Sequence, residues 1–176
     1  DAFALERIIG QNDLLSINYL ARGLQASKSV CRIHIFNPVN RPEGYGTGFM
    51  ISPTLLLTNN HVIPSKAYAK RSLAEFNFEY DEDFLPKRTH FFHLNPQLFF
   101  YTDEALDFSL IAVRPTSRHG ESIRQFGFLF LTEQSGKALA TEEVSLIHHP
   151  SGADKHISIR NNKVLNRFQD FIHYET

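Results

Sequence analysis

Residues 46–62 read Gly-Thr-Gly-Phe-Met-Ile-Ser-Pro-Thr-Leu-Leu-Leu-Thr-Asn-Asn-His-Val, and they constrain the fold more tightly than any other stretch. Two short apolar runs, 49–51 and 55–58, flank a Ser-Pro turn, which is the pattern of a hairpin of two buried strands. The hairpin delivers one histidine, His61, to the end of its second strand. Gly46 and Gly48 let the backbone turn sharply or come close beside it. Further on, residues 105–113 read Ala-Leu-Asp-Phe-Ser-Leu-Ile-Ala-Val. Here Asp107 opens a strand whose continuation is almost wholly apolar. An acid at the mouth of a buried strand is costly unless something pairs with it.

The rest of the chain supports a β protein. Residues 30–36 read as a strand, 37–46 as turn-rich, 76–80 and 98–101 as strands, and 107–113 as a strand ended by Pro115. Beyond a polar, Gly-containing stretch at 116–121, short strands are predicted at 126–131, 144–147, 157–159, 164–168 and 171–174. That regular spacing suggests a sandwich or barrel. The first 28 residues differ. Leu14, Ile17, Leu20 and Leu24 recur at helical steps, with Asn12 or Asp13 as the cap, and predict a helix that lays an apolar stripe on the main body. Sixteen Phe and six Tyr with no Trp fit strands. Phe91, Phe92, Phe99 and Phe100 are expected in the core, because no basic residues interleave with them as a nucleic-acid stacking platform requires.

His61 and Asp107 belong together chemically. A serine hydroxyl is a poor nucleophile until a base takes its proton, and imidazole is the base suited to neutral pH. A carboxylate bonded to the far imidazole nitrogen fixes the tautomer and stabilises the imidazolium that forms. His61 is thus the candidate base and Asp107 its orienter.

These motifs resemble those of the trypsin-like serine proteases, and among them the bacterial V8-like or glutamyl-endopeptidase-like branch. The Gly-Thr-Gly-Phe hairpin, the Thr-Asn-Asn-His-Val end and the Leu-Asp-Phe-Ser-Leu-Ile strand carry the likeness, with His and Asp 46 residues apart. It extends through 92–100, 144–152 and 158–164, and spans roughly residues 30 to 176. The resemblance implies an all-β, trypsin-like double β-barrel: a helical N-terminal extension over 1–28, a first barrel over 29–118 carrying both residues, and the start of a second over 119–176. The family's nucleophile sits in a Gly-x-Ser-Gly turn that also supplies the oxyanion donors. No such turn occurs here, so the expected serine lies beyond Thr176 and the second barrel is incomplete. Ser151-Gly152 and Ser135-Gly136 lack the preceding glycine and read as surface turns. Ser109 reads as packing or hydrogen-bonded to the site.

The resemblance therefore implies a serine endopeptidase seen as a fragment. The chain by itself is expected to be inactive, because loss of the serine alone costs on the order of 10⁶ in turnover. The alternative is a catalytically inactive trypsin-like binding or regulatory module of a larger bacterial protein. The partners expected are a protein or peptide substrate and the missing C-terminal portion, as a second chain or as part of a longer parent.

Other classes find little support. A formal net charge of −1 gives no field for nucleic acid or an anionic membrane. No stretch has the ~20 apolar residues of a membrane span, and none reads as a secretory leader. No cofactor is implied. Nine histidines invite a metal, among them His90 with His93, and His148 with His149 and His156, yet no Cys or carboxylate cluster completes a zinc set. Gly44, Gly46 and Gly48 lack the spacing and following helix of a phosphate loop. The Arg7-Ile-Ile-Gly10 stretch reads as a chance likeness to an activation site. The single cysteine, Cys31, cannot form an internal disulfide, reads as a buried hydrophobe, and fits a reducing, cytoplasmic setting.

Overall fold

The computed structural model describes residues 15–133, 144–159, 162, 164–167 and 172–174. Its centre is an antiparallel sheet of seven strands in the order β5-β4-β1-β2-β3-β7-β6. The strands are β1 (Val30–Phe36), β2 (Pro42–Met50), β3 (Leu55–Thr58), β4 (Leu73–Phe76), β5 (His90–His93), β6 (Phe100–Asp103) and β7 (Phe108–Ala112). The sheet is open in its strand order. Just past the strands, Leu94 after β5 bridges Val113 after β7, with Asn95 N–H bonded to the Ala112 carbonyl and Arg114 N–H to that of His93, while β6 is left as the other edge of the sheet. The double barrel expected from the resemblance is thus not a closed ladder among the described residues.

Alternation along the strands builds the core. Ile33, Met50, Leu56, Phe76, Phe92 and Ile111 are fully buried on the inner face, each burial stabilising by about 1.5–3 kcal/mol. Phe76, Phe92 and Phe126 form an aromatic knot with centroids 4.5–5.8 Å apart. Of the four phenylalanines expected inside, Phe92 is buried and Phe100 packs on the core's edge, whereas Phe91 and Phe99 are exposed. Cys31 is fully buried, and burial pushes its thiol up to about 12, so it behaves as a small hydrophobe.

Several sequence-based boundaries shift. The strand expected at 76–80 is β4, three residues earlier; Tyr80 makes only a single bridge, to Pro86. The strand expected at 98–101 starts at Phe100. Residues 126–131 form no strand, because a 3₁₀ turn over Ile123–Phe126 ends at Gly127 with φ +66°. A helix, α1 (Asn18–Ser27), is present, but Ile17, Leu20 and Leu24 are exposed rather than laid on the body. The helix instead rests its smallest residue, Gly23, near Ile157. Leu14, both candidate caps, Ser135 and the Arg7-Ile-Ile-Gly10 stretch lie outside the described residues. No described helix is long and apolar enough to cross a membrane.

Two further ladders follow: β8 (Leu146–His148) with β9 (His156–Ser158), and β10 (Val164–Arg167) with β11 (Ile172–Tyr174). The segment joining β8 to β9 is tied to the main sheet by polar contacts. His149 N–H donates to Thr47 Oγ1 at 3.0 Å, and Arg32 donates to the Gly152 carbonyl at 2.5 Å. Lys155 donates to the Ser27 carbonyl and pairs with Glu79 at 2.7 Å. Arg32 is itself buried, paired with buried Glu75 at 2.7 Å and stacked on Phe78 at 3.4 Å, and His34 donates to the same carboxylate. Burial pushes the Glu75 carboxyl up, but the bonds from His34 and Arg32 outweigh it and hold it below the ordinary range.

His149 is 4% exposed. Its Nδ1–H donates to the Ala153 carbonyl, while Nε2 has no partner among the described residues. Burial above all holds its pKa down to about 4, against an ordinary value of 6.5. Across that window the unfolded chain binds a proton that the folded chain refuses, so stability rises with pH there. His93, also lowered by burial and by Arg118 and Arg114, adds to the slope. Glu75 acts lower, its contribution complete above the ordinary carboxylate pKa and lost as pH falls through the lowered folded value. The melting temperature is therefore expected to fall from pH 6.5 to 4. His149→Asn, which keeps a donor toward Ala153, should flatten that fall; identical slopes in both proteins would contradict the assignment.

Candidate active site

The register of two strands brings His61 and Asp107 together. β3 pairs β7 antiparallel with Thr58 opposite Ser109, so the residues just past the end of β3 face those just before the start of β7. His61 is three residues beyond Thr58, and Asp107 two before Ser109. The imidazole Nδ1 lies 2.8 Å from Asp107 Oδ2 and 3.1 Å from Oδ1, and the His61 backbone N–H donates to Oδ1 at 3.0 Å. Nε2 makes no hydrogen bond to a described residue, and the imidazole side chain is 70% exposed.

Packing beneath the imidazole holds it there. Val62 and Ile63 are buried, and both of their N–H groups bond to the Asn59 carbonyl at 3.2 Å, which curls the chain into a tight turn. A Cβ on Gly46 would stand 2.5 Å from Val62 Cγ1, and one on Gly48 2.8 Å from Ile33 Cδ1. Gly46 therefore admits Val62, the residue after His61, and Gly48 admits the core side chain of Ile33, the close approach that the sequence suggests.

A polar relay ties the turn to β6 and β7. Asn60 Nδ2 donates to Thr102 Oγ1 at 2.8 Å, Thr102 and Ser109 hydroxyls meet at 2.6 Å, and Ser109 donates to the Ile63 carbonyl at 2.8 Å. Ser109 is fully buried and serves this relay. Asn59, Asn60 and Thr102 escape the sequence reading. The signal that could have found them is polarity out of place, two amides before the histidine and a hydroxyl opposite an apolar strand.

Asp107 differs from its expectation. It precedes β7 in a left-handed conformation, φ +49°, and its side chain is 38% exposed rather than buried. Asx residues tolerate that backbone better than others. Partial desolvation pushes its carboxyl up, but the His61 N–H, the imidazole and the Asn59 amide together hold it below the ordinary carboxylate range. It is therefore ionised at neutral pH. The pair lines a cleft of about 510 Å³ whose other walls include Tyr45, Phe49, Leu57, Leu146 and His148.

The other candidates do not join it. Ser151 sits exposed at φ +51° in a 3₁₀ turn over Pro150–Gly152, with no hydrogen bond to His61. His90, His93, His148, His149 and His156 do not converge: among the described residues no three His, Cys, Asp or Glu side chains group as metal ligands. Gly44, Gly46 and Gly48 lie within β2.

The close fit at Gly46 leaves no room for a side chain beside Val62. Gly46→Ala is expected to cost about 1–3 kcal/mol by overpacking against Val62, read as a lower urea midpoint at unchanged slope. A wild-type midpoint would show that Val62 is not pinned.

The comparisons with known proteins concern the family and the fold. The model of the trypsin-like peptidase domain matches residues 46–176. An uncharacterized protein of Sinorhizobium fredii, y4fB, is 45% identical over 166 residues, which is 93% of this chain and 25% of that protein. The chain thus spans about a quarter of the length of this curated relative. Among solved structures, the active form of the Rv3671c protease from M. tuberculosis superposes with a TM-score of 0.50 at 17% identity, covering 88% of this chain and 59% of that one. Deg5 superposes with a TM-score of 0.51 at 17% identity, covering 88% and 67%. These likenesses concern the fold. With three quarters of its length matched by the domain model, the chain belongs to the trypsin-like peptidase domain family.

Proposed function

We propose that this chain carries the general base and the orienting acid of a serine endopeptidase, His61 and Asp107, and that the nucleophilic serine lies outside its 176 residues. The observation that carries the reading is the 2.8 Å contact between His61 Nδ1 and Asp107 Oδ2, which leaves Nε2 without a hydrogen bond to a described residue on an imidazole that lines the cleft. With Nδ1–H committed to a carboxylate, Nε2 holds the lone pair. It takes the proton of a serine hydroxyl during attack on the peptide carbonyl and returns it to the departing amine. Asp107 stays ionised throughout and stabilises the imidazolium. The chemistry needs no cofactor.

The Gly-Thr-Gly-Phe and Thr-Asn-Asn-His-Val motifs favour the V8-like branch within the family and a bacterial source. The rest of the domain is then the chain's partner, as a separate polypeptide or as part of a longer parent, and the substrate is a peptide or protein. The outer face of the sheet supports such a partner: Phe49, Leu57, Leu110 and Tyr101 stand in one cross-strand row, although a solvated face would be polar. The buried, unpaired Cys31 fits a cytoplasmic setting.

The test is serine-directed labelling of the intact parent protein with a fluorophosphonate. A label on one serine, reduced about 10⁴-fold by Asp107→Asn and lost in His61→Ala, is the expected result. No label on any species would favour the other reading, a trypsin-like module that works by binding.

A further inference from the structure

We infer that Asn59 is a positioning residue for this site: its side-chain amide clamps Asp107 at two atoms at once and holds the carboxylate where His61 needs it. The inference rests on the reading of His61 and Asp107 as a base and its orienter. Asn59 Nδ2 donates to Asp107 Oδ2 at 3.1 Å and to the Asp107 main-chain carbonyl at 3.2 Å. Both of these atoms are acceptors, so only the NH₂ end of the amide can face them. One side chain thus ties the carboxylate to its own backbone.

The backbone needs such a tie. Asp107 is at φ +49°, a region sparsely populated by residues other than glycine. The Asp107 N–H bond to the Glu104 carbonyl, at 3.3 Å, is long. The amide reaches the turn from the opposite strand end, 48 residues away in sequence. The carboxylate's four acceptances then divide between two residues. Oδ1 takes the His61 N–H and shares the imidazole, while Oδ2 takes the imidazole and the Asn59 amide. Without the amide, Oδ2 is free to rotate toward water, since the side chain is 38% exposed. The same residue also sets the other partner. Its carbonyl accepts both Val62 N–H and Ile63 N–H, so the main chain of Asn59 orients the histidine turn while its side chain orients the acid. A misplacement of the orienter by about 1 Å is worth up to ~10² in rate.

The experiment follows the Asp107 carboxyl carbon by NMR during an acid titration of the chain, over the range in which its amide spectrum remains native. It is run for the native protein, Asn59→Ala and Asn59→Asp. Removal of the donor in Asn59→Ala should raise the Asp107 midpoint by about half a pH unit, and the isosteric Asn59→Asp, which sets a like charge beside the carboxylate, should raise it further. Midpoints unchanged in both variants would overturn the assignment, even if either variant melts earlier, because a merely structural asparagine lowers stability without moving the titration of Asp107. The readout does not depend on hydrolysis, so it separates a failure of this clamp from a failure of the protease reading, which the serine label decides.

Discussion

The antiparallel register of β3 on β7 is the constraint on which the site depends. Thr58 faces Ser109, and a slip of one residue would turn every side chain of either strand to the opposite face. Leu56 and Ile111 would leave the core, and His61 and Asp107 would point apart. The register is held by hydrophobic burial on the inner face and by the Asn60–Thr102–Ser109–Ile63 relay at the end where the site forms. Gly46 and Gly48 complete the arrangement by leaving room for Val62, Ile33 and Leu56. The geometry of the His61–Asp107 pair is thus a consequence of core packing one residue further along the chain.

Two carboxylates in the molecule receive similar donors and serve different ends. Glu75 is almost fully buried, paired with Arg32 and His34, and Arg32 in turn fastens the segment around Gly152 to the sheet. A buried pair of this kind is strongly destabilising to break, since it leaves a charge without a partner. Asp107 sits at the surface and is paired with an exposed imidazole that lines the cleft. Burial makes the first a structural tie. Access, together with a partner able to exchange protons, makes the second a chemical group.

The site was legible in the sequence to the extent that strand pattern and residue chemistry coincide. The Gly-Thr-Gly-Phe hairpin and the Leu-Asp-Phe-Ser-Leu-Ile strand are short, apolar and bounded by turns, so their pairing follows once both are read as neighbours. The two amides before His61 are visible in the sequence, but the partner of Asn59 is not, because its contacts are non-local and depend on the left-handed turn at Asp107, which no periodicity announces. The same holds for α1: Leu20 and Leu24 keep a helical period but are exposed, because the helix turns Gly23 to the body. At 126–131 apolar content suggested a strand, but Gly127 at φ +66° ends a 3₁₀ turn there. Buried partners such as Arg32 and Glu75 lie 43 residues apart and become neighbours only through the β1–β4 ladder.

In the proposed reading Asp107 holds His61 as the Nδ1–H tautomer, with a free lone pair on Nε2. Nitrogen NMR of the ¹⁵N-histidine-labelled chain above neutral pH tests it most directly. The expected spectrum shows a His61 Nδ1 resonance of the protonated type, bonded to a strongly downfield proton, and an Nε2 resonance of the bare type. A His61 ring that averages both tautomers as free imidazole does, or that carries its proton on Nε2, would contradict it.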